Sequence, residues 1–423
     1  MRSNRYFLLA MLTGVGVLNF VDRQILSILL EAIKEDLAFS DVQLGLLSGT
    51  LFAVFYSIVG IPVARLADRW DRGKIVSIAL FLWSVMTMLS GLATSFLHLA
   101  LARIGVAVGE SGVAPASHSL IADRFTTNRA TALSVYSIGG IFGAFLALSV
   151  GGWISDNYGW RIAFFVAGLP GVLLAFAAAF LIKDFRESEA FSKGMFMTEP
   201  GKPTLVQGVK LLWAIKAWRY AAIATAFTHV ASLAIGAFLA SFMIRSFELS
   251  AADTGLIMAV VIGSCATTGS LGGGIIADKL SAKWGIQWMS WTLTLAFVVG
   301  GLLTPLLFMS TDLRLFVVLL APYFLFISAS GGVQFAIAQS LVGSSMRATS
   351  SAVLILMINL FGLGIGPVFL GFISDQIGGA DSLRYAMLCM TPFTLVGAYY
   401  YFKAGVALPN DALEAKDSAV TQK

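Results

Sequence analysis

Long runs of apolar residues recur along the whole chain and are separated by short polar segments. A helix that crosses a lipid bilayer needs about 20 predominantly apolar residues, and each run reaches or approaches that length. The pattern predicts twelve transmembrane spans, near residues 6–30, 43–64, 75–94, 97–121, 130–153, 162–182, 219–244, 254–277, 285–309, 313–343, 350–373 and 384–402.

These runs are continuous and do not alternate between apolar and polar residues, so helices are expected rather than the strands of a barrel. The composition agrees, because 58% of the 423 residues are hydrophobic and only 12% are charged, whereas about a quarter of the residues in a soluble domain are charged. The first run lacks a small-residue cleavage site, so we interpret it as a retained span. The predicted fold class is therefore an all-α membrane protein.

Lysine and arginine residues lie mainly in alternate loops, on the side of the membrane that the N-terminus shares. The opposite loops contain Lys34, Arg161, Arg245, Arg314 and Arg384. Because short basic loops stay in the cytoplasm during insertion, both termini are expected to be cytoplasmic.

The two halves of the chain repeat each other at several positions in the same order. Arg129-Ala-Thr recurs as Arg347-Ala-Thr, and Ile154-Ser-Asp recurs as Ile373-Ser-Asp. Such a repeat is typical of transporters built from two pseudo-symmetric bundles. We predict six-helix bundles over 1–182 and 219–403, a cytoplasmic linker over 183–218 that is helical near Leu205 to Trp213, and a cytoplasmic tail over 404–423.

A dense run of charges joins spans two and three, and its counterpart joins spans eight and nine. Positive-inside anchoring explains the basic residues, but it does not explain an aspartate, Asp68 or Asp278, at the matching position of both halves. An aspartate there can accept hydrogen bonds from the N-terminus of a facing helix and pair with an arginine. We therefore expect a cytoplasmic gate that contains Asp68, Arg69, Arg72, Arg129, Asp278, Lys279 and Arg347.

Four charged residues lie well inside the proposed spans: Asp22 and Arg23 in span one, and Arg103 and Glu110 in span four. An ionised side chain at the bilayer centre costs at least about 2.5 to 3.5 kcal/mol, so these residues need a reason to be there. Arg103 and Glu110 are nearly two turns apart and project from one face of a helix. Counting residues along the two spans places Asp22 and Arg23 at a membrane depth between those of Arg103 and Glu110, across a cavity.

Two interpretations of these four charges remain open. They can form a static cluster that joins span one to span four, although desolvation offsets most of the attraction in a buried pair. Alternatively, the cluster opens and closes, since burial favours the neutral form of a carboxyl group. Protonation of Asp22 or Glu110 would then release Arg23 to hold an anionic group.

The spans of the second half contain no such charges and offer only neutral polar side chains as binding groups. The candidates are Thr228 and His229 on span seven, Gln334 on span ten and Asn359 on span eleven. Phenylalanine and tyrosine residues lie near them, so this wall suits an apolar chain or ring better than a sugar.

The loop between spans two and three resembles the signature of the major facilitator superfamily, Gly-x-Leu-Ala-Asp-Arg-x-Gly-Arg-Lys. Leu66, Ala67, Asp68, Arg69 and Arg72 fit it, whereas Ala64 and Asp71 stand where glycine is usual. The resemblance implies two six-helix bundles with a cavity lined by spans one, four, seven and ten.

A narrower resemblance is to the spinster branch of that superfamily, which exports lysolipids and sphingosine phosphate. It is carried by Asn19-Phe-Val-Asp22-Arg23, by Arg103 to Glu110 and by Ala122-Asp-Arg-Phe. It implies that Asp22 and Glu110 couple protons, and that Arg23, with Asn19 and Arg103 beside it, binds an anionic lipid headgroup. Organic-anion symporters of the superfamily share similar pieces, so they remain the alternative.

Other classes of protein lack support in the sequence. There is no Gly-x-Ser-x-Gly, His-Glu-x-x-His or ATP-binding loop, the three histidines are scattered, and the two cysteines lie inside apolar spans. We expect no enzyme activity, cofactor, metal or nucleic-acid partner. The expected partners are the solute, protons and the bilayer around a monomer, in a bacterial inner membrane because no Asn-x-Ser/Thr acceptor occurs.

Overall fold

The computed structural model describes residues 5–125, 128–182, 205–343 and 346–420. Helices make up almost all of this described chain, and it contains no strand. The first six predicted spans form α1 (Arg5–Leu37), α2 (Asp41–Gly45), α3 (Leu51–Arg69), α4 (Arg72–Ser90), α5 (Phe96–Glu110), α6 (Val113–Arg124), α7 (Arg129–Tyr158) and α8 (Trp160–Leu181).

The second part of the chain begins with α9 (Leu205–Ala214), which confirms the short helix predicted in the linker. The remaining spans form α10 (Lys216–Phe247), α11 (Ala251–Trp284), α12 (Gln287–Phe308), α13 (Leu313–Ile327), α14 (Ser330–Ser340), α15 (Arg347–Met357), α16 (Gly364–Ile377), α17 (Ser382–Leu388) and α18 (Thr391–Val420).

Eleven helical segments of the described chain are long and apolar enough to cross a bilayer. They coincide with the first eleven predicted spans and confirm an all-α membrane protein. The twelfth predicted span is divided between α17 and α18.

Several spans that the sequence predicts as continuous are interrupted. Span four changes from α5 to α6 at Ser111 and Gly112, and Pro115 follows within the first turn of α6, where its missing N–H does little harm. Span eleven contains a π-helical stretch, Ile358–Leu363. Pro367 explains this wide turn, because its ring excludes a normal hydrogen bond to the carbonyl four residues earlier.

The chain folds into two compact units. Unit 1 contains Met1–Met197 and Phe238–Val260, and unit 2 contains Thr198–Ala237 and Val261–Lys423. The last part of α10 and the first part of α11 therefore pack with unit 1, although they follow the predicted linker in sequence. The bundle limits 1–182 and 219–403 stay a prediction.

The core of unit 1 depends on close packing between α4 and α5. Trp83 on α4 is fully buried beside Leu80, and Val106 and Ala107 on α5 are also buried. A Cβ atom added at Gly109 would lie 2.8 Å from the backbone nitrogen of Trp83 and 3.1 Å from the carbonyl oxygen of Ala79. Glycine at this position therefore lets the two helices approach closely, and it fixes the depth of Glu110.

We predict that Gly109→Ala lowers the unfolding midpoint, because the new methyl group pushes α5 away from the backbone of α4. Gly263→Ala on α11 is the matched control, since a Cβ atom there meets nothing within 4 Å. Alanine favours a helix over glycine by about 1 kcal/mol, so the control should melt at the same temperature or higher. Thermal melting followed by tryptophan fluorescence measures both, and equal midpoints would contradict the packing argument.

Candidate functional site

Asp22 lies on α1 and is 2% exposed. The hydroxyl of Thr87 on α4 donates to Asp22 Oδ1 at 2.6 Å and also lies 3.0 Å from the carbonyl oxygen of Trp83. Since Thr87 is itself buried, this hydrogen bond ties α1 to α4 inside the apolar core. The Thr87 hydroxyl thus replaces a water molecule as a hydrogen-bond partner of the Asp22 carboxyl group.

Arg23 is the next residue of α1 and pairs with Glu110 on α5. Its Nε donates to Glu110 Oε2 at 2.7 Å, and the Glu110 side chain is fully buried while the Arg23 side chain is 31% exposed. The Arg23 guanidinium also lies 5.0 Å from the ring centres of both Phe52 and Tyr56. Cation–π contacts of this length help to hold an arginine that has lost most of its water.

Arg103 lies on α5, about two turns before Glu110, and is 2% exposed. Its Nη1 donates to the backbone carbonyl of Asp22 at 3.4 Å, and its guanidinium lies 5.8 Å from the ring centre of Phe52. Among the described residues, neither Arg103 Nε nor Glu110 Oε1 has a hydrogen-bond partner. Buried polar atoms are rarely left unpaired, so these residues leave one donor and one acceptor without a partner in the described chain.

The structure thus brings together all four residues that the sequence selected, and we call Asp22, Arg23, Arg103 and Glu110 the buried charge cluster. Asn19 lies one turn before Arg23, with its side chain near the Glu110 carboxylate. Two acidic and two basic groups balance in charge, which limits the cost of removing them from water. Arg23 is the most exposed of the four, so it is the member best placed to meet a solute.

The neutral candidates of the second half all belong to unit 2. Thr228 is buried and donates to the carbonyl oxygens of Ala224 and Thr225, so its hydroxyl is occupied within its own helix. His229 Nδ1 lies 2.8 Å from the Thr225 carbonyl. Gln334 is buried and its Oε1 has no partner among the described residues, whereas Asn359 is half-buried at the π-helical turn.

Among the predicted gate residues, Arg72 has charged and polar partners, and these lie outside the predicted gate. Arg72 is 3% exposed and pairs with Asp123 at 2.6 Å, and it donates to Ser119 at 2.5 Å. Four other gate residues have described side chains, and all four are exposed: Arg129, Asp278, Lys279 and Arg347. None of them forms an ion pair with another described side chain. Asp68 and Arg69 belong to α3, and their side chains lie outside the described part of the structure.

A second group of charges, which the sequence pattern did not reveal, lies where α1 and α10 end; its two carboxylates, Glu31 and Asp41, are buried. Arg245 donates to Glu31 at 2.7 Å and to both oxygens of Asp41, at 2.8 and 3.0 Å, and Lys34 donates to Asp41 at 2.5 Å. We call Glu31, Lys34, Asp41 and Arg245 the Arg245 cluster. The prediction ended span one at residue 30 and placed Arg245 in a loop, but α1 continues to Leu37. The helical spacing of Leu26, Leu30 and Ile33 was a usable signal for that extension.

The same end of unit 1 contains a capped helix N-terminus. Asp156 at the end of α7 accepts hydrogen bonds from the backbone amides of Ala251 and Ala252, at 3.1 and 2.7 Å. A carboxylate at this position satisfies amides that have no partner in their own helix. A Cβ atom at Gly255 would clash with the carbonyl oxygen of Leu148, so glycine permits the close contact between α11 and α7.

Comparison with known proteins agrees with this architecture. The family sequence profile of the Major Facilitator Superfamily matches residues 12–362. An MFS-type efflux pump of Mycolicibacterium smegmatis is 33% identical over 409 residues, which cover 95% of this chain and 92% of that protein. The crystal structure of a bacterial homolog of the human lysosomal transporter Spinster, inward-facing and unoccupied, has a TM-score of 0.84 at 25% identity, covering 97% of this chain and 99% of its own.

Two further relatives point to different solutes. The sphingosine-1-phosphate transporter SPNS2 of Danio rerio is 27% identical over 235 residues, which cover 55% of this chain and 46% of that protein. The hexuronate transporter of Bacillus subtilis is 24% identical over 386 residues, with 86% of each chain covered. These relatives are transporters and not enzymes.

We predict that Thr87→Val destabilises the protein by about 1 kcal/mol, within the range of side-chain hydrogen bonds between membrane helices. The substitution keeps the shape of the side chain but leaves Asp22 without its hydroxyl donor. Thr304→Val is the matched control, because Thr304 is also fully buried but donates only to the Gly300 carbonyl of its own helix. Thermal melting in detergent should show a lower midpoint for Thr87→Val than for the control, and the reverse order would contradict the assignment.

We predict that Arg245→Gln speeds hydrogen exchange at the start of α11. Loss of the charge removes the contacts to Glu31 and Asp41, and with them one of the restraints on the segment that Asp156 caps. Exchange mass spectrometry of peptides containing Ala251 and Ala252 measures this directly. Arg384→Gln breaks the separate pair with Asp381 and serves as the control, in which these peptides should exchange at the wild-type rate.

Proposed function

Because the chain belongs to the major facilitator superfamily, we propose that it is a secondary active transporter that moves an amphiphilic, anionic, lipid-like solute by proton-coupled alternating access. The observation that carries this proposal is the ion pair between the partly exposed Arg23 and the fully buried Glu110. This pair holds a cation ready for an anionic headgroup and a carboxylate that can take up a proton.

The proposed coupling follows from the chemistry of that pair. A proton on Glu110 removes its negative charge and weakens its attraction for Arg23. Arg23 is then available to an anionic headgroup, with Asn19 one turn before it on α1. Departure of the proton restores the pair and displaces the headgroup. Asp22 is the second carboxyl group of the cluster, and we assign it the same role.

The surroundings of Arg23 favour a solute with an apolar part. The Arg23 guanidinium lies within 6 Å of the ring centres of Phe20, Phe52 and Tyr56. Aromatic faces accept an aliphatic chain or a sphingoid base, but they offer a sugar few hydrogen bonds. The likeness to the sphingosine-1-phosphate transporter supports the same class of solute.

The second candidate function is proton-coupled symport of small organic anions. It is favoured by the match to the hexuronate transporter over most of both chains. The same Arg23 would bind a carboxylate. For either solute we propose that Thr228, His229, Gln334 and Asn359 contribute neutral contacts. Arg72 and the other gate residues close the cytoplasmic side in this proposal. The protein works as a monomer in a bacterial inner membrane, with both termini in the cytoplasm.

Transport by purified protein in liposomes tests these proposals. With an imposed pH gradient, we expect a labelled lysophospholipid to cross the membrane faster than in protein-free liposomes, and a labelled hexuronate to cross no faster. Asp22→Asn and Glu110→Gln should each remove the dependence of the rate on the pH gradient, because the neutral side chains can no longer exchange a proton. Glu35→Gln is the matched control on α1, since Glu35 is exposed and should be dispensable.

The outcomes of this experiment separate the alternatives. Movement of the hexuronate without the lysophospholipid would replace the first solute class with the second. If both variants kept the wild-type response to the pH gradient, the buried charge cluster would be a static structural element. A monodisperse elution profile for each variant shows that a lost response does not come from misfolding.

A further inference from the structure

One end of unit 2 contains a compact group of cations and aromatic rings that the transport proposal does not use. The ammonium of Lys403 on α18 lies 4.9 Å from the ring centre of Tyr399 and 5.7 Å from that of Tyr220 on α10. The guanidinium of Arg219 lies 5.8 Å from the same Tyr220 ring. We call Arg219, Tyr220, Tyr399 and Lys403 the Lys403 cluster.

The cations of this cluster have no carboxylate partner among the described residues. Three other arginines of the described chain do pair with a carboxylate within 4 Å: Arg23 with Glu110, Arg72 with Asp123 and Arg245 with Asp41. The Arg219 guanidinium instead donates a hydrogen bond from Nη1 to the backbone carbonyl of Trp213, at 3.3 Å. Asp411, two turns further along α18 than Lys403, instead accepts from the backbone amide of Ala217 at 2.6 Å. Within the described part of the chain, the two positive charges of the cluster therefore have no carboxylate beside them to compensate them.

Aromatic side chains extend this surface in a way that suits the edge of a bilayer. Trp291 on α12 stacks on Phe402, the neighbour of Lys403, with ring centres 6.1 Å apart and its indole nitrogen 3.4 Å from the Phe402 carbonyl. Trp288 and Trp284 continue the row, at 5.4 and 4.9 Å between successive ring centres. Trp284 and Phe402 are each about half exposed. Tryptophan and tyrosine collect where the headgroups meet the hydrocarbon.

From these contacts we infer that the Lys403 cluster binds the headgroup of an anionic phospholipid. The phosphate accepts hydrogen bonds from Lys403 and Arg219, which the shared Tyr220 ring holds close together, and the glycerol and first acyl carbons lie against Tyr399 and Phe402. The predicted topology places this end of unit 2 on the cytoplasmic side, where the leaflet is rich in anionic lipids. The inference needs that topology but does not depend on which solute the protein transports.

Lipid retention by the full-length protein tests the inference. Purified wild-type protein is exchanged into detergent with phosphatidylglycerol or phosphatidylcholine, and native mass spectrometry counts the bound lipids while tryptophan fluorescence gives the melting temperature. Wild type should keep phosphatidylglycerol and melt higher with it than with phosphatidylcholine. Arg219→Gln/Lys403→Gln should bind phosphatidylglycerol about tenfold or more weakly and lose most of this shift, because two cations near the membrane surface are removed.

Two controls keep this result specific. Lys210→Gln/Arg314→Gln removes two exposed cations of unit 2 outside the cluster and should retain the lipid and the shift. Lys403→Arg keeps the charge and should also retain them, which separates loss of charge from a general loss of fold.

Three outcomes would overturn the inference. The first is equal retention by the cluster variant and by the control with two cations removed. The second is equal stabilisation of the wild type by phosphatidylcholine. The third is equal stabilisation by soluble glycerol phosphate, which would indicate a small-anion site rather than a lipid site.

Discussion

The Arg23–Glu110 ion pair sets the constraint that the rest of unit 1 satisfies. A fully buried carboxylate beside a guanidinium is tolerable only if water is replaced by fixed partners, and here α1, α3, α4 and α5 supply them. Phe52 and Tyr56 of α3 cover Arg23, Thr87 of α4 holds the neighbouring Asp22, and Gly109 brings α5 close enough to α4 for Glu110 to lie at the right depth. Packing and charge therefore depend on each other. The contacts of α4 with α1 and α5 hold the charged side chains in place, and the paired charges limit the cost of burying them.

Much of this arrangement could be predicted from the sequence. Long continuous apolar runs indicate spanning helices, because a helix satisfies its backbone polar groups within one segment, and charges inside such runs are rare enough that Asp22, Arg23, Arg103 and Glu110 stand out. Charges near helix ends were harder to interpret. Glu31 and Arg245 lie at the edge of their apolar runs, where a polar residue is ordinary, and the sequence does not show that they form an ion pair. The gate prediction treated Arg72 as part of a loop, whereas it is a buried helix residue paired with Asp123.

The two groups of buried charges in unit 1 differ in what holds them. In the buried charge cluster, Arg103 Nε and Glu110 Oε1 have no hydrogen-bond partner within the described chain, and Arg23 binds Glu110 through one nitrogen, Nε. In the Arg245 cluster, a bidentate contact to Asp41 uses the planar guanidinium fully, and Lys34 adds a further bond. Both groups leave a buried atom without a partner in the described chain, which in the Arg245 cluster is Glu31 Oε2, but the bidentate contact fixes the geometry of the Arg245 cluster more closely.

The division of α10 between the two units has a consequence for any attempt to split the protein into separately produced fragments. The chain between α8 and α9 separates the two sequence repeats, yet a cut there would leave Phe238–Val260 on the fragment that carries unit 2. The fragment that carries the rest of unit 1 would then lack Arg245, so Glu31 would lose its ion pair and Asp41 would lose one of its cations. Such a fragment should be soluble in detergent only when its partner is co-expressed, since the missing piece has to be donated in trans.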